Sequence, residues 1–211
     1  MTKKLTGIFI MSDNVFKQKN QEENISSKIV VGLQRISEAF KVLLWEKAKE
    51  FGLSPIQIQI LIFIENHKEQ YCNVSYLAKE FNLTKPTISD AIRVLEKKGM
   101  IVKDYSSSDS RSYTIFLSDL GKNTVFKNDD FVNPIYSEIQ KISPNEQENL
   151  FATLSSLIYK LNQKDILTVQ RTCFACKFYS KNNKQHHCGL LQKELLNSEI
   201  RLDCKEFETA L

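Results

Sequence analysis

Cys173 and Cys176 are separated by two residues in the stretch RTCFACKFYS, Cys188 follows after eleven more residues, and Cys204 after another fifteen. A C-x2-C pair with two distant cysteines is a common ligand set for tetrahedral Zn2+. The short spacing lets two thiolates bind from one turn while the outer pair closes the site. His186 and His187 adjoin Cys188, and His187 is an alternative fourth ligand that would make the set Cys3His. The same four thiolates suit an iron–sulfur cluster, and a reversible disulfide pair without metal is the third reading. A structural ion would let a segment with few aliphatic anchors hold a fold by tying metal binding to folding. Phe174, Phe178, Tyr179 and Phe207 are expected to form the small apolar core around the cysteines. Cys72 stands far from the cluster and is expected to be a buried small hydrophobe.

A second set of chemistry-bearing residues lies in TKPTISDAIRVLEKKG, residues 84–99. Ile88, Ala91, Ile92 and Leu95 recur at helical spacing and predict a buried stripe. The outward positions are then Thr84, Lys85, Thr87, Ser89, Asp90, Arg93 and Lys97. Hydroxyls and an amine at a helix start suit phosphates and base edges, because a helix N-terminus also favours anions. Arg93 could reach a guanine edge or a phosphate, and Asp90 could accept from a cytosine amino group. The plainer expectation is that Asp90 pairs with Arg93 or Lys97. Asp109 and Arg111 stand two apart in the polar run SSSDSR. An arginine at a loop tip suits a narrow minor groove, and the neighbouring aspartate can hold its guanidinium fork.

The elements that must position these residues can be read from period and capping. An apolar seam of Ile29, Leu33, Ile36, Phe40 and Leu43 predicts a long helix from Ser26 to Gly52, which serves as its C′ residue. Ser54 and Pro55 open a second helix over IQIQILIFI, where the cap decides against a strand. A short helix NVSYLAKEFN and the helix from Thr84 follow. MIVKDY and SYTIFL then read as two strands of a hairpin whose loop, 105–112, projects into solvent. A helical stretch over 118–142 carries Pro134 as a kink or break. Ser143, Pro144 and Glu146 cap a last helix with Leu150, Phe151, Leu154, Leu157, Ile158 and Leu161 on its apolar face. Short helix, turn, second helix and hairpin in that order make a winged helix–turn–helix. The expected fold is therefore mainly α with a small β-hairpin wing, plus long helices. The expected divisions are an arm over 1–25, the winged-helix and long-helix region over 26–165, and a cysteine-rich tail over 166–211.

Composition bounds the function without choosing it. A net charge of +4 over 211 residues is compatible with nucleic acid but too mild to imply it. The apolar run near the N-terminus is shorter than the ~7–15 residues a secretory signal needs, and no run approaches the ~20 of a membrane span. The expected location is the cytoplasm, where clustered thiols more often bind metal or sense redox state than form structural disulfides. Paired carboxylates, a Ser–His set and a phosphate-cradling glycine loop are missing from the pattern, and the C-x2-C lacks the βαβ context of a thioredoxin-like site. The expected class is a non-enzyme.

LAKEF, TKPTISDAIRVLEKKGMI and DSRSYTIFLSDLGK resemble the MarR family of bacterial transcription regulators, and the helix order extends the likeness over about residues 26–165. The resemblance implies an obligate homodimer built from the first long helix and helix 144–162. It implies two winged helices in successive major grooves of a near-palindromic double-stranded DNA operator, with repression as the mode of action. It carries Lys85, Thr87, Ser89 and Arg93 onto recognition-helix positions and Arg111 onto the wing tip. Asp90 and Arg93 depart from the family pattern, which often has a basic or amide group and an acid there, so operator sequence does not transfer. The family also implies a small-molecule effector pocket between the two halves, for which Trp45, Phe51 and Phe63 are the candidates. A winged-helix adaptor that binds protein and no DNA is the competing reading. Adjacency of the tail to helix 144–162 gives one further expectation: metal or redox state in the tail repositions that helix and so the two wings.

Overall fold

The computed structural model describes residues 14–106, 113–127, 130–182 and 185–210. A short helix α1 (Gln18–Glu23) precedes the long α2 (Ile25–Glu50), where the sequence suggested only a loose arm. The Asn24 side chain starts α2 by accepting from the N–H groups of Ser26 and Ser27. Gly52 ends it: at φ 60° it turns the chain so that its own N–H reaches the Lys49 carbonyl and the Leu53 N–H the Ala48 carbonyl.

α3 (Pro55–Asn66), α4 (Val74–Glu80) and α5 (Lys85–Lys97) follow. Gln57 returns its side chain to the Ser54 N–H at 2.9 Å, so the cap does set the alternating isoleucines as a helix. Asn73 caps α4 through the Tyr76 N–H at 3.0 Å, and Thr84 caps α5 through the Thr87 N–H at 3.3 Å. At the end of α5, Gly99 (φ 68°) directs the Met100 N–H to the Leu95 carbonyl and the chain into the hairpin. β1 (Ile101–Asp104) and β2 (Thr114–Leu117) pair antiparallel with Ile101 opposite Leu117. The predicted stretch 118–142 is broken in two, α6 (Asp119–Phe126) and α7 (Asn133–Gln140), and Pro134 sits in the first turn of α7 rather than within a continuous helix. α8 (Pro144–Asn162) starts with the expected box, Glu146 accepting from the Ser143 N–H at 3.2 Å.

One apolar core runs through α3, α4, α5, β1, β2 and α6 with the end of α2, and Ile58, Ile60, Leu61, Leu77, Ile88, Ile92, Leu95 and Ile115 are fully buried in it. The N-terminal half of α2 contributes nothing to this core. Ile29, Leu33, Ile36 and Phe40 stay exposed, at 54%, 38%, 50% and 41%. The tail, read from sequence as a bare cysteine knuckle, forms a three-stranded antiparallel sheet: β3 (Tyr179–Asn182), β4 (Gln185–Cys188) and β5 (Lys193–Leu195), in the order β3-β4-β5. It has its own small core of Cys173, Leu195 and Ile200 packed with Phe151 of α8, Phe174, Tyr179 and Cys188. Among the described residues no helix is long and apolar enough to cross a membrane.

Candidate nucleic-acid interface and thiol cluster

α5 divides as its period predicts. Ile88, Ala91, Ile92 and Leu95 are buried, whereas Thr84, Lys85, Thr87, Asp90, Arg93 and Lys97 are exposed and Ser89 is half-buried. The Thr84 and Thr87 hydroxyls are 2.8 Å apart and share one proton-mediated contact at the helix start. Arg93 donates to Asp90 one turn back, in the pairing expected from the sequence, so the guanidinium is held along the helix face. At the base of the hairpin Lys103 donates to Glu96 of α5 at 2.6 Å and lies 4.8 Å from the Tyr113 ring centre, which ties β1 to the helix. Asp104 accepts from the Ser106 N–H at 2.9 Å and its hydroxyl at 2.7 Å, starting the loop. Asp109 and Arg111 lie outside the described residues.

The α6 start locks this unit. Ser118 caps α6 by accepting from the Gly121 N–H at 3.1 Å, and its hydroxyl donates to the Gly99 carbonyl at 2.6 Å. Gly121 leaves room for the Met100 carbonyl, whose oxygen occupies the place a Cβ would take. Phe63 is buried in the core, stacked on His67 with ring centres 3.8 Å apart, while Trp45 is 53% exposed.

The tail folds so that its cysteine-bearing segments converge. Cys173 opens a single 3-10 turn, and the Cys176 N–H donates to its carbonyl at 2.9 Å. The Arg201 N–H donates to the Cys173 sulfur at 3.2 Å, and the Arg201 guanidinium lies 3.7 Å from the Cys204 sulfur. Cys173, Cys188 and Cys204 line one cavity. Burial pushes the Cys173 thiol up, the Arg201 N–H works against it, and Cys204, Cys188 and Cys176, all within electrostatic reach, add to the upward push. Among the described residues no group of three or more His, Cys, Asp or Glu side chains is arranged to hold a metal ion. His186 has both ring nitrogens engaged, by the Tyr179 hydroxyl at 2.6 Å and Asn197 Oδ1 at 3.0 Å. His187 alternates with Cys188 along β4 and so faces the opposite side of the sheet.

Sequence reasoning missed the joint between tail and winged helix. Arg171 is 7% exposed and uses all five of its donors. Nε and Nη2 reach the Asp203 carboxylate at 2.6 and 2.9 Å, Nη1 and Nη2 reach Glu80 of α4 at 2.7 and 3.1 Å, and Nη1 also reaches the Tyr76 hydroxyl at 2.8 Å. Its guanidinium lies 5.5 Å from the Phe63 ring centre. His67 holds Asp203 through Nε2 at 2.7 Å and faces the Phe63 carbonyl through Nδ1 at 2.8 Å. Burial alone would raise the Asp203 carboxyl, but hydrogen bonds from His67 and Arg171 outweigh it and hold the group well below the usual carboxylate range. The one sequence signal was position: Arg171 precedes Cys173 by two residues and Asp203 immediately precedes Cys204. Cys72 is buried, as expected, and burial pushes its thiol up to about 11.

A capped helix pair, a recognition helix with one polar face and a hairpin behind it define a winged helix–turn–helix protein. Comparison with known proteins agrees. Residues 51–112 match the family model described as the MarR family, a span from the end of α2 into the wing loop. The chain is 25% identical over 118 residues to the HTH-type transcriptional regulator SarZ of Staphylococcus epidermidis, covering 56% of this chain and 78% of that protein. Its fold superposes on the S. aureus MepR–DNA complex with a TM-score of 0.54 at 25% identity, over 61% of this chain and 94% of that one. S. aureus MepR in its DNA-binding conformation gives 0.56 at 23% identity, over 63% and 98%, and that likeness is one of fold.

Proposed function

We propose that the protein is a homodimeric, sequence-specific DNA-binding transcription regulator that acts as a repressor. α5 enters the major groove with Thr84, Lys85, Thr87, Ser89, Asp90, Arg93 and Lys97 toward the DNA, and the wing carries Asp109 and Arg111 to the minor groove. The observation that carries the reading is the split of α5 into a fully buried apolar stripe and an exposed polar face beginning at a capped N-terminus. Likeness to a DNA complex of MepR and to the regulator SarZ supports it. Dimerisation is supported by the exposed seam of α2, since a surface-exposed apolar stripe of that length marks an association surface. A second copy offers the same seam, and a near-palindromic operator follows from the two-fold axis. An effector small molecule would act by changing the separation of the two α5 helices.

The test is fluorescence anisotropy with duplexes selected from a random library, repeated across salt concentration. Neutralising phosphates releases counterions, so the affinity should fall steeply with salt. Lys85→Ala should weaken all sequences alike and lower the salt slope by about 1. Weak binding with a flat salt dependence would instead support the protein-binding adaptor.

A further inference from the structure

The tail presents three chain segments held side by side with a sulfur on each. Residues 171–173 and 201–204 are zipped by backbone bonds: the Cys173 N–H to the Arg201 carbonyl at 3.0 Å, and the Cys204 N–H to the Arg171 carbonyl at 3.1 Å. Cys188 ends β4 opposite Tyr179 and shares the cavity of Cys173 and Cys204. Cys176 closes the 3-10 turn that Cys173 begins. A core this small, three buried residues and their neighbours, buries too little apolar surface to hold a sheet unaided. Three thiols lining one cavity, one of them already accepting a backbone N–H from Arg201, are a donor set suited to a thiophilic cation. The histidines drop out of the donor set, His186 because both nitrogens are taken and His187 because it faces away.

We propose that Cys173, Cys176, Cys188 and Cys204 bind one thiophilic cation of the Zn2+ class, and that this ion fixes the Arg171–Asp203 pair that clamps the tail onto α4. Closing the four sulfurs on one centre asks for rotation of cysteine side chains, since the backbone segments already converge. The ion then cross-links 171–173 to 201–204, which sets the two halves of the Arg171–Asp203 fork in register. Glu80 and Tyr76 take the other side of the fork, so α4, which packs on α5, is held by a metal-dependent strut. This places the influence of the tail on the helix–turn–helix scaffold, a different route from displacement of α8. The metal site stands whether or not α5 binds DNA.

The full-length protein is purified without chelator under anaerobic, reducing conditions, and zinc, iron and acid-labile sulfide are measured per chain. Co2+ is then titrated into stripped protein, and amide hydrogen exchange is compared with and without Zn2+. The expected results are about one zinc per chain, the visible bands of a tetrahedral cobalt thiolate, and loss of both in Cys188→Ser and Cys204→Ser but not in Cys72→Ala. Stripping should raise exchange in 171–173, 201–204 and α4 together. Absence of bound metal, iron with sulfide, recovery of Cys173 and Cys176 as a disulfide, or metal retained by Cys188→Ser would each overturn the site. Unchanged exchange in α4 on stripping would overturn the clamp. If the serine variants do not fold, the stoichiometry and cobalt spectrum of the unmutated protein decide.

Discussion

Replacing Arg171 with alanine removes the cation that two carboxylates share. Glu80 has 20% of its side chain exposed and Asp203 46%, so one acid is left largely enclosed and the other can rehydrate. Removing one partner of a buried ion pair costs about 3–5 kcal/mol. Partial rehydration of Asp203 puts this case near ~3 kcal/mol, because exposed charges recover solvation. For a chain of this length that corresponds to a melting point lower by about 6–12 °C. Arg171→Lys keeps the charge but not the fork to both acids, and should recover less than half of the loss. The assays are thermal melting by circular dichroism and limited proteolysis, and cleavage in the tail of Arg171→Ala should precede cleavage in α3–α5. A variant that melts within a degree of the unmutated protein, with its tail equally resistant, would refute the clamp as what holds the tail. The acid limb has a defined sign. A carboxyl held low in the folded state contributes stability that is present above its unfolded value of about 3.9 and lost as pH falls through the folded value. The Asp203 contribution should therefore be intact from neutral pH down to about 5 and disappear only in stronger acid.

Gly121→Ala drives a Cβ into the Met100 carbonyl where both sides are backbone, and should cost about 3 kcal/mol in urea unfolding; a change below half of that would mean that α6 can shift freely. Ile36→Glu with Phe40→Glu puts charges into the exposed seam of α2 and should shift sedimentation from dimer to monomer while leaving the helical spectrum intact. Asp90→Ala frees Arg93 from its intrahelical partner and should raise DNA affinity at low salt, whereas no change would mean that Arg93 stays on the helix face. Cys72, with its thiol at about 11, should resist iodoacetamide in native protein at pH 8 and react only on unfolding.

The helices were legible because each carries its own stop and start signals. Ser54–Pro55, Thr84, Ser143 with Glu146, and the glycines at 52 and 99 act over a single turn, so local sequence suffices to place α2, α3, α5 and α8. The buried and exposed faces of α5 followed from period alone. The division of 118–142 was only half legible: Pro134 marked a break, but the chain resumes its helix at Asn133, which places the proline where its missing N–H costs nothing. The tail sheet was not legible, since strands of three or four residues carry too short a pattern to separate from loop.

What the sequence determined by itself is the set of capped helices, the polar face of α5 and a set of cysteines with ligand spacing. Tertiary structure alone decided which residues join the tail to the rest. Arg171 meets Asp203 across 32 residues and Glu80 across 91, and His67 meets Asp203 across 136. No local propensity encodes such a meeting. It depends on how the tail docks, its small core on Phe151 of α8 and its Arg171 on α4, which is set by the shape of two separate cores rather than by any one segment. The same holds for His186, which sequence placed beside a metal ligand and folding turned into the partner of Tyr179 and Asn197. A strand's alternation decides which side a residue faces, but only the packed sheet decides what it meets there.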